Sequence, residues 1–223
     1  MINIEKPSLN ELSHHGVLGQ KWGVRRSEVQ LGRANTKTST EYSSNKITIS
    51  KGSEIHRMVP KTWVNRELAY GGHAYASFLK SDVEHYKQIS ALFGKNSYVD
   101  LTFKAKDVLV SPSEKRRVDA FVELMKEDVN FNKNYTKATR NILVFTPKST
   151  IKTIGENTNK TQRAYDNFAY LLVSKPELRD SYISKLEKEG YSMIIDDADR
   201  KAKLAESPVI IFDRQKSLDV QND

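Results

Sequence analysis

Residues 47–60 read Ile-Thr-Ile-Ser-Lys-Gly-Ser-Glu-Ile-His-Arg-Met-Val-Pro, and their reading decides the fold. Ile47 to Ser50 alternate apolar with polar, as a half-buried strand does; Lys51-Gly52 reads as a turn, and Ser53 to Val59 as the following strand. Beyond a loop containing Pro60 and Gly71-Gly72, the run Ala74-Tyr75-Ala76-Ser77-Phe78 is again strand-like. Ser81-Asp82 caps a predicted helix from Val83 to Phe93, which Gly94 closes. Tyr98 to Phe103 and Asp107 to Val110 carry the β-branched residues that suit strands. Pro112-Ser113 then opens a helix with Val118, Phe121, Val122 and Met125 at helical spacing. Asn141 to Phe145 reads as a strand, and Lys160 to Ser174 and Pro176 to Glu189 as helices, the second ending at Gly190. Two strands, Tyr191 to Ile195 and Pro208 to Phe212, finish the pattern, with a charged stretch between them that reads as a surface hairpin. Strands and helices follow each other without the strict alternation of a doubly wound sheet. The expectation is an α+β fold with a mainly antiparallel sheet.

Upstream the composition changes. Residues 1–46 are poor in aliphatics, and Arg33 to Lys46 is rich in Ser, Thr and Asn, too polar to offset the entropy of ordering it. We therefore divide the chain into a flexible tail, 1–46, and a domain, 47–223. Within the tail, His14-His15-Gly16-Val17-Leu18-Gly19-Gln20-Lys21-Trp22-Gly23-Val24-Arg25-Arg26 follows neither helical nor strand period. It reads as a recognition peptide, with Trp22 the anchor and Arg25 and Arg26 at the rim. Two adjacent histidines with no third ligand nearby make no convincing metal site.

Composition narrows the chemistry. Of 223 residues, 38% are hydrophobic and 29% charged, which suits one ordinary domain with an appendage. With Cys 0, disulfide frameworks, thiol nucleophiles and cysteine-ligated zinc are all excluded. No apolar run approaches the roughly 20 residues of a membrane-spanning helix, and the first residues lack the pattern of a signal peptide, so no membrane partner is expected. The P-loop, G-x-G-x-x-G, G-x-S-x-G and H-E-x-x-H patterns are missing. The net charge is +8, and between Asn132 and Ala164 only Glu156 stands against Lys133, Lys137, Arg140, Lys148, Lys152, Lys160 and Arg163. That segment, 132–164, reads either as a solvated basic loop or as an anion-binding face open to nucleic acid. Tyr165, Phe168, Tyr170 and Leu171 read as the packed side of their helix.

Two resemblances add to this. The run from His14 to Arg26 is similar to a short segment, roughly His-His-Gly-x-x-Gly-x-Lys-Trp-Gly-Val-Arg-Arg, of head and head-associated proteins of tailed bacteriophages and prophages. The resemblance implies phage head proteins as partners of the tail. It also implies a protein found in the virion and, after delivery, in the host bacterial cytoplasm.

The order of elements from Ile47 onward resembles the ADP-ribosyltransferase fold and its split, mainly antiparallel sheet. What that implies is NAD as substrate and a host protein as acceptor. Arg57 matches the first-strand arginine of the arginine-serine-glutamate class, which contacts NAD near its phosphates and nicotinamide ribose. Ser77 matches the last serine of that class's Ser-Thr-Ser pattern, which supports the pocket and the catalytic carboxylate; Tyr75 and Ala76 stand at the other two positions. His56 and Tyr75 fit the class that uses His, Tyr and Glu almost as well. Cleaving nicotinamide from ribose develops oxocarbenium character, which a carboxylate stabilises while orienting the acceptor. Glu206, just before Pro208 to Phe212, takes the catalytic place by this matching, with Asp196, Asp197 and Asp199 as alternatives. The family's Glu-x-Glu or Gln-x-Glu is missing from that loop, and Glu187-Lys188-Glu189 falls at the end of a predicted helix. A pseudoenzyme therefore stays open. So do two other functions: a minor head protein that binds DNA, and a nucleotide-binding inhibitor of a host defence.

Overall fold

A computed structural model describes residues 46–65, 72–92, 97–140 and 151–220. In chain order the elements are β1 (Ile47–Ile49), β2 (Glu54–Pro60), β3 (Ala74–Ser77), α1 (Lys80–Leu92), β4 (Tyr98–Ala105), β5 (Leu109–Ser111), α2 (Glu114–Glu127) and α3 (Val129–Arg140). They continue with α4 (Thr158–Ser174), α5 (Pro176–Lys188), β6 (Met193–Ile195), α6 (Asp197–Lys201), β7 (Pro208–Ile211), α7 (Arg214–Ser217) and β8 (Leu218–Val220).

Six strands form one antiparallel sheet in the order β6-β7-β3-β2-β4-β8, and β1 pairs with β5 in a separate antiparallel ribbon. The expected α+β class with antiparallel strands is what the chain adopts. β1 and β2, though neighbours in sequence, do not pair. Gly52, at φ +81, turns the chain, and its N–H reaches the Ala105 carbonyl, extending the β2–β4 side of the sheet. The ladder is uneven. β2 pairs with β4 over seven residues but meets β3 only at His56 opposite Ser77. The sheet is thus loosest between the two strands that carry the predicted site.

Register explains the two cores. Met193, Ile211 and Ala74 stand side by side across β6, β7 and β3, as do Ile195, Val209 and Ala76. This face shares a core with Ile55, Phe103, Ile49 of β1 and Leu109 of β5. The alternate residues Ile194, Ile210 and Tyr75 turn to the helices. β6 is an edge strand, but Met193 and Ile195 face one core and Ile194 the other, which is why Met193-Ile194-Ile195 does not alternate. In the helical core Phe121 of α2 stacks on Phe168 of α4 at 4.9 Å, and meets the rings of Phe131, Tyr135 and Tyr165 edge-on. Tyr165, Phe168 and Leu171 are buried, as expected; Tyr170 is half-buried.

Several boundaries follow from caps. The Ser113 side chain accepts from the Arg116 N–H, and the Asn157 side chain from the Lys160 N–H; Pro176 occupies the first turn of α5. Helix α1 begins at Lys80, so Asp82 lies in its first turn and does not cap it. α3 corrects the loop reading of the basic segment. Asp128 accepts from the N–H groups of Asn130 and Phe131, and Phe131, Tyr135 and Thr139 recur on one buried face. Polar composition hid this helix, because three inward positions suffice when the other faces are solvated. α7 and β8 also went unpredicted. The predicted strand Asn141 to Phe145, Gly94 and the tail before Lys46 lie outside the described residues.

The stretch after β6 is corrected too. In place of a surface hairpin it holds α6, and Asp196, Asp197 and Asp199 are buried. Asp197 faces the helices, where Arg117 donates to it from Nε at 2.8 Å and Nη2 at 3.0 Å, and the Tyr165 hydroxyl donates at 2.7 Å. Burial pushes the Asp197 carboxyl up, but Arg117 outweighs it and holds the group below the usual carboxylate range. The pair ties α2 to α6.

Candidate functional site

The predicted residues His56, Arg57, Tyr75 and Ser77 line one cavity, where β2 and β3 part and α1 lies across them. Its volume is about 30 Å³, and Tyr86 of α1, Asp196 and Asp199 complete its polar lining. That is room for one or two water molecules. A wider, more open cleft of about 510 Å³ adjoins it, lined by β1, Ser50, Ser53, Glu54, Phe78 and again His56. Its volume lies within the range of ordinary small-ligand sites.

Arg57 is 4% exposed, and its Nη1 donates to the Tyr75 carbonyl at 2.7 Å. An arginine with its stem on a strand and its head on the neighbouring backbone is fixed where the ladder fails, so the loose pairing places a cation inside the sheet. His56 sits beside it on the opposite face, its Nδ1 3.3 Å from Thr102 Oγ1 and its Nε2 3.8 Å from Glu54. The Tyr75 hydroxyl is held by the helices, donating to the Leu172 carbonyl at 3.4 Å and accepting from Arg179 Nη1 at 3.5 Å. Burial pushes its phenol up to about 12, so it is a neutral donor at physiological pH.

Ser77 belongs to a buried clamp. Its hydroxyl lies 2.5 Å from Asp82 Oδ2 and 3.1 Å from the Ser207 carbonyl, with one proton to give, and it accepts from the Leu79 N–H. Asp82 in turn accepts from the N–H groups of Glu206 at 2.9 Å and Ser207 at 3.0 Å. The serine and the segment before β7 are therefore joined through one carboxylate. In the sequence Asp82 was read with Ser81 as a helix cap and not as a partner of Ser77. An acidic residue five places after a strand serine carries no signal until the chain folds.

Glu206 is exposed, and its side chain lines neither space. The carboxylates beside Arg57 are Asp196 and Asp199. Asp196 Oδ1 accepts from the N–H groups of Ala198 and Asp199 and so caps α6. Asp199 accepts a hydrogen bond from the Tyr86 hydroxyl, which burial first and then Asp199 push well above the usual phenol range. The Tyr86 bond holds α1 against α6 and closes the inner cavity on that side. Asp100, on β4 opposite Met58, is a further half-buried carboxyl whose Oδ1 has no hydrogen-bond partner among the described residues. Burial raises it, and His56 partly offsets this.

Among the described residues no helix is long and apolar enough to cross a membrane, and no three His, Asp or Glu side chains are grouped to hold a metal ion. Residues 5–29 match a family of unknown function, DUF7211, a match that encloses the run from His14 to Arg26 and ends before β1. No curated protein and no solved structure matches the chain.

Proposed function

We propose that the protein is a phage-encoded, virion-associated ADP-ribosyltransferase, carried by its tail and transferring ADP-ribose from NAD to a host protein. The observation that carries this reading is the convergence of Arg57 with Ser77, His56 and Tyr75 on one cavity, beside two buried carboxylates. Arg57 and Ser77 were matched to one class of the family and His56 and Tyr75 to the other, and all four border the gap between β2 and β3.

In the reaction the bond between ribose C1′ and the nicotinamide nitrogen breaks, and nicotinamide leaves with the electron pair. An acceptor atom of the target then bonds to C1′ and gives up its proton. Arg57 supplies positive charge for the phosphates, and an aspartate in place of Glu206 supplies negative charge for the developing cation. We assign that role to Asp199, which lines the cavity with Arg57 and is held there by the Tyr86 hydroxyl, whereas Asp197 faces the helices and Asp196 caps α6. Ser77 acts through Asp82, as part of the clamp that holds the segment before β7. The inner cavity is too small for NAD as it stands, and the wider cleft, which shares His56 with it, offers the volume.

Incubation with labelled NAD and a bacterial lysate tests the proposal. Labelled protein bands that disappear in Arg57→Ala and Asp199→Asn but persist in Glu206→Ala support the assignment. Loss in Glu206→Ala and retention in Asp199→Asn returns the carboxylate to Glu206. NAD binding without nicotinamide release points to the nucleotide-binding inhibitor.

A further inference from the structure

Helix α3 presents a cationic face that the transferase reading does not use. Lys133, Lys137 and Arg140 recur at i, i+4 and i+7 and are exposed, opposite the buried Phe131, Tyr135 and Thr139. The helix contains no acidic residue. From the buried face Tyr135 donates to the Ala164 carbonyl at 2.9 Å, which seats α3 on α4 and leaves the cations turned away from the core. The ion pairs of the described residues lie elsewhere, on α1, α2, α5, α6, α7 and the strands, apart from Asp166 of α4, which pairs with Lys201.

We infer that this face binds the phosphate backbone of duplex DNA without reading its sequence. From Lys133 to Arg140 the helix rises about 10 Å. Over that length a duplex carries about six phosphates, since it bears one charge per ~1.7 Å of axis. Asn130, Asn134 and Thr136 stand among or beside the cations, and such side chains commonly contact phosphate oxygens. Three other partners fit less well. A membrane needs an apolar face to insert, and that of α3 is buried in the core. A protein partner needs aromatic or large apolar anchors, whereas the exposed large apolar side chain of α3 is Val129 alone. Single strands are held by stacking on exposed aromatics, and Phe131, Tyr135, Tyr165 and Phe168 are all buried.

The test is fluorescence anisotropy of a labelled DNA duplex titrated with the full chain at several salt concentrations. Two triple variants of equal net charge are compared: Lys133→Gln, Lys137→Gln, Arg140→Gln on α3, and Lys51→Gln, Lys61→Gln, Lys104→Gln on the strands and their turns. All six residues are exposed, so both variants keep the wild-type circular dichroism melt. Each phosphate contact contributes about 0.9 to the slope of log K against log salt, so the α3 variant is expected to lose about three from that slope and at least about tenfold in affinity. The strand variant keeps the wild-type slope. Equal losses in the two variants overturn the inference, because total charge then explains the binding. So does absence of duplex binding by the wild type at low salt, or equal or tighter binding to single-stranded DNA or polyglutamate. NAD turnover plays no part in this readout, so the DNA face and the transferase stand or fall separately.

Discussion

Arg57 reaches the Tyr75 carbonyl because β2 and β3 share only one bridge pair, so the same irregularity that weakens the sheet creates the cavity. Asp82 has the opposite task, closing what the strands leave open. Its carboxylate accepts from Ser77, Glu206 and Ser207, three donors from two distant segments. Asp82→Asn removes the charge and turns one acceptor into a donor that faces other donors, which costs about 1–3 kcal/mol by the unsatisfied-group rule. Hydrogen exchange at the Glu206 and Ser207 amides is expected to quicken in this variant; unchanged protection there would remove the clamp from the account. Titration is a second residue-scale lever. Hydrogen bonds from Arg116 and then Lys185 hold the Glu123 carboxyl down to about 2, against the opposing effect of burial, and Arg117 depresses Asp197. Carboxyls depressed on folding contribute stability that is complete above their unfolded pKa of ~4 and is lost as pH falls through the folded value. Denaturant melts should therefore show constant contributions from these two groups above about pH 5 and a steep decline toward pH 2. Asp197→Asn flattens that acid limb, and an unchanged limb would show that the pair does not control it.

Among the elements, helices α2, α3 and α4 are organised by Phe121, which contacts four other rings, and α5 joins them through Tyr182 against Phe168. Phe121→Ala leaves a cavity among aromatic neighbours and is expected to cost about 3–5 kcal/mol, read by urea denaturation. A cost below about 1 kcal/mol would mean that the cluster collapses around the gap. Strands β1 to β7 and the helices α1, α2, α4 and α5 were legible in the sequence, since Ile47 to Ile49, Met193 to Ile195 and the repeat Val118, Phe121, Val122, Met125 carry strong periodic or apolar signals. α3 was not, because Asn, Lys and Thr fill its outer faces and only Phe131 and Tyr135 mark the inner one. α6 was hidden for another reason. A run of aspartates reads as surface unless its partners are known, and Arg117 lies eighty residues away from Asp197.

At the scale of the molecule, six antiparallel strands separate an aromatic helical core from an aliphatic one under the β1–β5 ribbon. The sheet places the candidate site on one side of α1, while the basic surface of α3 belongs to the helical layer. The two activities proposed here thus use different layers of one fold. The candidate residues on the strands, Arg57, His56, Tyr75 and Ser77, came from motif matching and line one cavity. Which carboxylate borders that cavity was not legible, because it depends on how the chain turns after β6, where Glu206 is exposed and Asp199 lines the cavity.

The central claim is tested most directly by nicotinamide release and protein labelling from NAD in a bacterial lysate, comparing wild type with Arg57→Ala. The account predicts labelled bands with the wild type and at least about a hundredfold loss with Arg57→Ala, the scale of removing one preorganised electrostatic group. Folded wild-type protein that neither labels a target nor releases nicotinamide, or an Arg57→Ala variant as active as wild type, would contradict it.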